Sequence, residues 1–123
     1  MKEWKYFLLI IGLIIADQIT KYYFGFVKNT GGAFGIFQGY NFVFILVSFA
    51  ALIGFIFYFA KNEKERLACS LIISGIIGNL IDRIAFGYVR DFIDLRVWPV
   101  FNIADSLMVV GVGLIVWGMI KGK

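Results

Sequence analysis

The chain has no histidine, one cysteine (Cys69) and one proline (Pro99) in 123 residues. Without histidine it has no Ser/His or Cys/His nucleophile pair and no imidazole-based zinc set, and a lone cysteine cannot form an internal disulfide. Cys69 lies inside an apolar run and reads as a small packing residue. Any hydrolytic chemistry therefore rests on carboxylates, lysine or serine, with no metal and no cofactor expected. Charge is scarce too: 16% of residues are charged and 61% hydrophobic, against roughly 25% and 45–50% in soluble domains. That balance points to a bilayer, and the length allows a single domain over residues 1–123. The net charge of +4 does not indicate nucleic acid, because the basic residues form no stripe with interleaved polar contacts.

What is present is apolar length. Runs from Trp4 to Phe24, Phe42 to Ala60, Leu67 to Phe86 and Phe101 to Ile120 can each cross a hydrocarbon core of roughly 30 Å at about 1.5 Å per helical residue. The expected fold is all-α and integral to the membrane: four transmembrane helices, with a short exported segment that has room for a small β-element. The first run begins like a signal peptide, but Ile14 stands where a cleavage site wants a small residue, so a retained helix is expected. Gly75 and Gly78 in the third run would let a neighbouring helix approach closely.

Lys2, Lys5, Lys61, Lys64, Arg66, Lys121 and Lys123 fall at the N-terminus, the middle loop and the C-terminus. With four spans these lie on one side, which the positive-inside rule makes cytoplasmic. The aspartates sort the other way: Asp17, Asp82, Asp91, Asp94 and Asp105 gather toward the outer leaflet. The stretch Gly78–Ser106 carries Asn79, Asp82, Arg83, Asp91 and Asp105 beside hydrocarbon-length segments, where ionisable residues are functional candidates.

Each candidate has a plainer reading. Asp17 and Lys21, four apart, make either an ion pair that snorkels to the interface or the polar rim of a binding site. The segment Val27–Gly35, with Gly31, Gly32 and Gly35, is a turn or a close-approach loop; it lacks the residues of a phosphate loop. Asn102 and Asp105 fit a helix cap. Asp91 fits an interfacial charge paired with Arg90 or Arg83. The sharper reading is that Asp91 and Asp105 approach and share one proton, so that the ionised partner activates water while the protonated one acts as acid.

Four motifs in register carry a resemblance. Ala16-Asp17-Gln18-Ile19-Thr20-Lys21 is similar to D-x-x-[ST]-K, and Asn29-Thr30-Gly31-Gly32-Ala33-Phe34 to N-x-G-x-A-F. Gly78-Asn79-Leu80-Ile81-Asp82-Arg83 with Val89-Arg90-Asp91-Phe92 is similar to G-N-x-x-D-R … V-x-D-F, and Phe101-Asn102-Ile103-Ala104-Asp105-Ser106 to F-N-x-A-D-S. Over nearly its whole length the chain resembles the lipoprotein signal peptidases, or signal peptidase II. The resemblance implies an aspartic endopeptidase of the bacterial cytoplasmic membrane with Asp91 and Asp105 as catalytic dyad. It implies a substrate pocket lined by Asn29, Gly31, Asn79, Arg83 and Asn102, with Asp17 and Lys21 at its rim and Asp82 as a structural partner. Substrates would be prolipoproteins already lipidated on the cysteine before which cleavage falls. Membrane lipids and globomycin-type inhibitors would be further partners, and a monomer is expected. Relative to the family, the connection from Lys21 to Asn29 and the loop from Asp94 to Trp98 look trimmed. The competing readings are a small four-span proton-coupled exporter using Asp17 alone, and an inactive relative.

Overall fold

A computed structural model of the chain describes residues 2–32 and 35–122. Ala33 and Phe34 of the second motif, and Lys123 of the basic set, lie outside the described residues. The apolar runs fold as α1 (Glu3–Tyr23), α2 (Asn41–Lys61), α3 (Arg66–Phe86) and α4 (Ile103–Ile120), each long and apolar enough to cross a membrane. The second and third helices are joined by a single 3₁₀ turn, Glu63–Glu65, where a loop was expected. Two short strands, β1 (Val27–Asn29) and β2 (Val89–Asp91), pair antiparallel with Val27 opposite Asp91 and Asn29 opposite Val89.

Helix α3 is the centre of the bundle and carries most of its buried residues, including Ile72, Ile73, Ile76 and Leu80, while α2 buries none. A helix that is apolar all round with no buried face turns it to lipid. The packing on α3 is close because two of its positions lack a side chain. A Cβ at Gly75 would strike the Ala104 carbonyl and Met108 of α4, and one at Gly78 would strike the Asp17 carboxylate of α1. The glycine pair thus admits two neighbours at once. Fully buried Cys69 is a packing residue, as its surroundings in the sequence suggest.

The polar ends of the helices gather at opposite poles. At one, Arg66 at the start of α3 donates to the Phe59 and Ala60 carbonyls that end α2 and pairs with Glu3 of α1 at 3.3 Å. Lys64 and Lys121 border one cavity at the same pole. At the other pole lie the C-terminal ends of α1 and α3, the sheet and the start of α4. Helix α3 stops at Gly87, whose φ of 84° places it in the left-handed region, with its N–H on the Arg83 carbonyl. Helix α4 starts two residues later than its apolar run, because Phe101 is held in a bridge with Ile93 and Asn102 is extended.

Candidate active site

Beneath the sheet lies a buried cluster of charges. Lys21 Nζ stands 2.7 Å from Asp17 Oδ2 and 3.3 Å from Asp82 Oδ2, all three side chains being 0% exposed. It also donates to Asn79 Oδ1 at 3.0 Å. Asp82 takes the Arg90 guanidinium at 2.9 and 3.1 Å and its backbone N–H at 3.0 Å. Gln18 links the two, donating to Asp82 and accepting from Arg90. Asp17 Oδ1 takes the Ala104 N–H in the first turn of α4, where a carboxylate suits the positive end of the helix dipole. Buried charges persist only when paired and hydrogen-bonded, and here the pairing ties α1, α3, β2 and α4 together.

Above this layer sit the two candidate acids, Asp91 at 3% exposure and Asp105 at 4%. One residue touches both. Asn102 Nδ2 donates to Asp91 Oδ1 at 2.8 Å, and its backbone N–H donates to Asp105 Oδ2 at 3.2 Å. Its Oδ1 in turn accepts the Asp105 N–H at 2.9 Å, closing a capping box on α4. Asn79 completes the bridge, donating to Asp105 Oδ1 at 3.0 Å and accepting from Asn102 at 3.0 Å. Asn29 donates to Asp91 Oδ2 at 3.0 Å, a contact made possible by the pairing of β1 with β2. Every carboxylate oxygen of the pair is therefore held by an amide.

Burial pushes the Asp91 carboxyl up to about 7, with the negative charge of Asp105 adding to the rise; Asn29, Lys21 and Asn102 oppose it. A carboxyl there exchanges its proton near neutral pH, as an acid–base group requires. Two openings reach the pair. A cleft of about 200 Å³, bordered by Val27, Asn29, Gln38 and Pro99, exposes Asp91. An apolar groove of about 350 Å³, bordered by Leu95, Trp98, Phe101 and Val109, exposes Asp105 and Ser106. A roomier cavity of about 540 Å³ lies at the opposite pole among Phe7, Ile56, Phe59 and Ile73. Its charged lining is the Glu3–Arg66 pair, so it offers no pair of carboxylates for acid–base work.

Several placements differ from the sequence reading. Asp17 and Lys21 do form their ion pair, but it neither snorkels nor rims a pocket; it lies fully buried, held from α3 and α4. Asp91 does not pair with Arg90, whose guanidinium turns to Asp82, nor with Arg83, which donates to the Gly31 carbonyl at 2.9 Å and lies over the Phe44 ring. Asp94 is exposed and accepts the Arg96 N–H, apart from the other four aspartates. The cap reading of Asn102 and Asp105 holds, and the same contacts that make the cap position the acid. Asn29 and Asn102 already use both amide protons inside the protein. Gly31 is enclosed, its N–H on Asn29 and a Cβ there blocked by the Ile36 and Phe37 backbone. Arg83 Nε, by contrast, is buried and has no hydrogen-bond partner among the described residues.

Gln18 and Gln38 carry contacts that the sequence reading did not assign. Gln38 donates to Asn29 Oδ1 at 2.6 Å. The available signal for Gln18 was its place inside the first motif, between Asp17 and Lys21.

Four spans around a buried, amide-held carboxylate pair define the class as a polytopic membrane protein with a polar cluster at one pole. A family model described as Signal peptidase (SPase) II matches residues 9–121. The chain is 43% identical to a lipoprotein signal peptidase of Halothermothrix orenii, over 89% of this chain and 91% of that one. It is 35% identical to one of Thermodesulfovibrio yellowstonii, over 98% of each. A bacterial membrane enzyme solved by the in meso method at 2.3 Å superposes with a TM-score of 0.88 at 33% identity, over 97% of this chain and 89% of that one. The chain belongs to the signal peptidase II family. It is a bacterial integral membrane protease that removes signal peptides from lipoproteins. The alignments with the two relatives run over 132 and 144 positions, more than the 123 residues of this chain, so both relatives carry residues that this one lacks.

Proposed function

We propose that the chain is an aspartic endopeptidase in which Asp91 and Asp105 share one proton and activate a water against the peptide bond just before a diacylglyceryl-modified cysteine. The observation that carries this reading is Asn102, which binds both carboxylates and so fixes them as a pair. Near pH 7 Asp91 carries the proton and donates it to the scissile carbonyl, while Asp105 takes a proton from the attacking water. The amine of the lipidated cysteine leaves with the proton returned by the pair. No metal or cofactor takes part.

Of the residues expected to bind substrate, Arg83 has an unmatched donor for a peptide carbonyl. Asn29, Gly31, Asn79 and Asn102 act by holding the carboxylates and Arg83, with Asp17 and Lys21 supporting them from below. The apolar groove beside Asp105 suits a greasy part of the precursor. The basic pole is cytoplasmic, both termini lie there, and the site lies at the outer face, where a lipid-anchored precursor presents its cleavage site. The enzyme acts as a monomer and is a target for globomycin-type peptides.

The test is incubation of the purified protein with a lipidated precursor peptide, with and without globomycin. Cleavage before the lipidated cysteine, blocked by the peptide, is the expected result. Proton-coupled transport with no cleavage would point to an exporter, and neither activity to an inactive relative.

A further inference from the structure

The loop that follows β1 closes on itself around one side chain. Gln38 Nε2 donates to Asn29 Oδ1 at 2.6 Å and to the Gly35 carbonyl at 3.0 Å. Its Oε1 accepts the Thr30 N–H at 3.0 Å and the Thr30 hydroxyl at 3.1 Å, and that hydroxyl accepts the Gly39 N–H at 2.7 Å. Both faces of the Gln38 amide are therefore committed, and its orientation is fixed. The chain adopts positive φ at Gly35, Phe37 and Gly39 to make this turn. For a residue as bulky as Phe37, that conformation is costly and persists where the surroundings over-determine it.

The consequence lies one residue further on. An asparagine amide can present either its oxygen or its nitrogen to a neighbour, and next to a carboxylate the wrong choice sets acceptor against acceptor. The N–H donors of Gln38 and Gly31 both point at Asn29 Oδ1, which leaves Asn29 Nδ2 to face the Gly32 carbonyl and Asp91 Oδ2. We infer that Gln38 is a positioning residue of the reaction: by donating to Asn29 it aims the Asn29 amide proton at Asp91 and so sets the pH at which Asp91 works. This inference rests on the proposed role of Asp91 as one of the two reacting acids. Gln38 also borders the cleft that opens on Asp91, beside Val27 and Pro99, so its turn forms one wall of the approach.

A hydrogen bond to a carboxylate favours its ionised form, so losing one moves the titration upward. Other charged groups bear on Asp91 as well: Lys21 of α1, Arg83 of α3 and Asp105 of α4 act on it directly. Arg90 on its own strand is turned to Asp82, and Lys28 of β1 lies over the Tyr88 ring. None of them hydrogen-bonds to Gln38.

Two variants separate positioning from simple support of the turn. Gln38→Ala removes every contact of the amide. Gln38→Glu keeps a carboxylate oxygen to accept from Thr30 but offers Asn29 an acceptor in place of a donor. The titration of Asp91 is read by infrared difference spectroscopy of its carboxyl band, assigned with Asp91→Asn, and is independent of turnover. Gln38→Ala should raise that midpoint by about 0.5–1 pH unit, the worth of one hydrogen bond, and Gln38→Glu by more, because its negative charge adds to the lost donor. The alkaline limb of the pH–rate profile for a lipidated precursor peptide should rise in step, with kcat reduced about 10-fold and KM little changed. A Gln38→Glu protein that titrates and cleaves like the wild type overturns the inference. So does failure of either variant to fold, which would assign Gln38 to the stability of the turn alone. A wild-type protein that never cleaves the peptide sinks the proposed function instead, while the infrared titration still decides whether Gln38 governs Asp91.

Discussion

Asn102 reaches Asp91 across eleven residues of chain with a 2.8 Å hydrogen bond. The same asparagine caps α4 through the backbone N–H of Asp105. Helix cap and carboxylate pair thus share one residue: Asn102 caps α4 and holds both Asp91 and Asp105. This explains why so polar a residue is 0% exposed at a helix end.

Asn102→Ser separates these two duties. A serine Oγ still accepts the Asp105 N–H, so the cap survives, but nothing then donates from residue 102 to Asp91. Thermal unfolding in detergent should lie close to wild type for the serine variant, whereas Asn102→Ala loses the cap, about 0.5–2 kcal/mol. Cleavage should fall in both. A serine variant that cleaves as well as wild type would show that the contact to Asp91 is idle.

Rate should depend on pH as a bell. In the proposed mechanism the working form carries one proton on the pair, and Asp91, raised to about 7 by burial and by Asp105, gives that proton up as pH rises through that value. The alkaline limb of kcat/KM should therefore fall near pH 7, the acid limb reporting protonation of the second carboxyl. Stability has the matching sign. Folded Asp91 holds its proton more tightly than a free aspartate carboxyl at 3.8, so resistance to unfolding grows as pH falls from about 7 toward 3.8 and is least above 7. Denaturant titrations across that window check the slope.

Lys21→Met should be among the most damaging single changes in the chain. It strands Asp17, 0% exposed, without a cation and leaves Asp82 with Arg90 alone, a loss of about 3–5 kcal/mol for a broken buried pair. Glu3→Ala, which breaks the Arg66 pair at the opposite pole where Glu3 is 69% exposed, should cost under about 1 kcal/mol. Equal effects at the two sites would contradict the buried placement of the Lys21 cluster.

The four spans were legible because long apolar runs admit one solution in a bilayer, and their ends were off by only one or two residues, most at Phe101. That residue looked helical by hydropathy, but its backbone is taken by Ile93. The gathering of Asp17, Asp82, Asp91 and Asp105 toward one pole followed from counting spans. Partner choice was not legible. Arg90 and Asp91 are adjacent in sequence, yet alternation along β2 sends their side chains to different neighbours. Asp17 and Lys21 looked interfacial because their burial depends on Gly78, which lets α1 come close enough to cover them. Gln38 was invisible for a similar reason: its partner Asn29 lies nine residues back, and only the turn brings them together.

The decisive measurement is single-turnover cleavage of a lipidated precursor peptide by the wild type, Asp91→Asn and Asp105→Asn, each verified as inserted and folded. A catalytic pair predicts cleavage by the wild type and a loss of at least about 1,000-fold in each variant. Near-normal cleavage by either variant would contradict it.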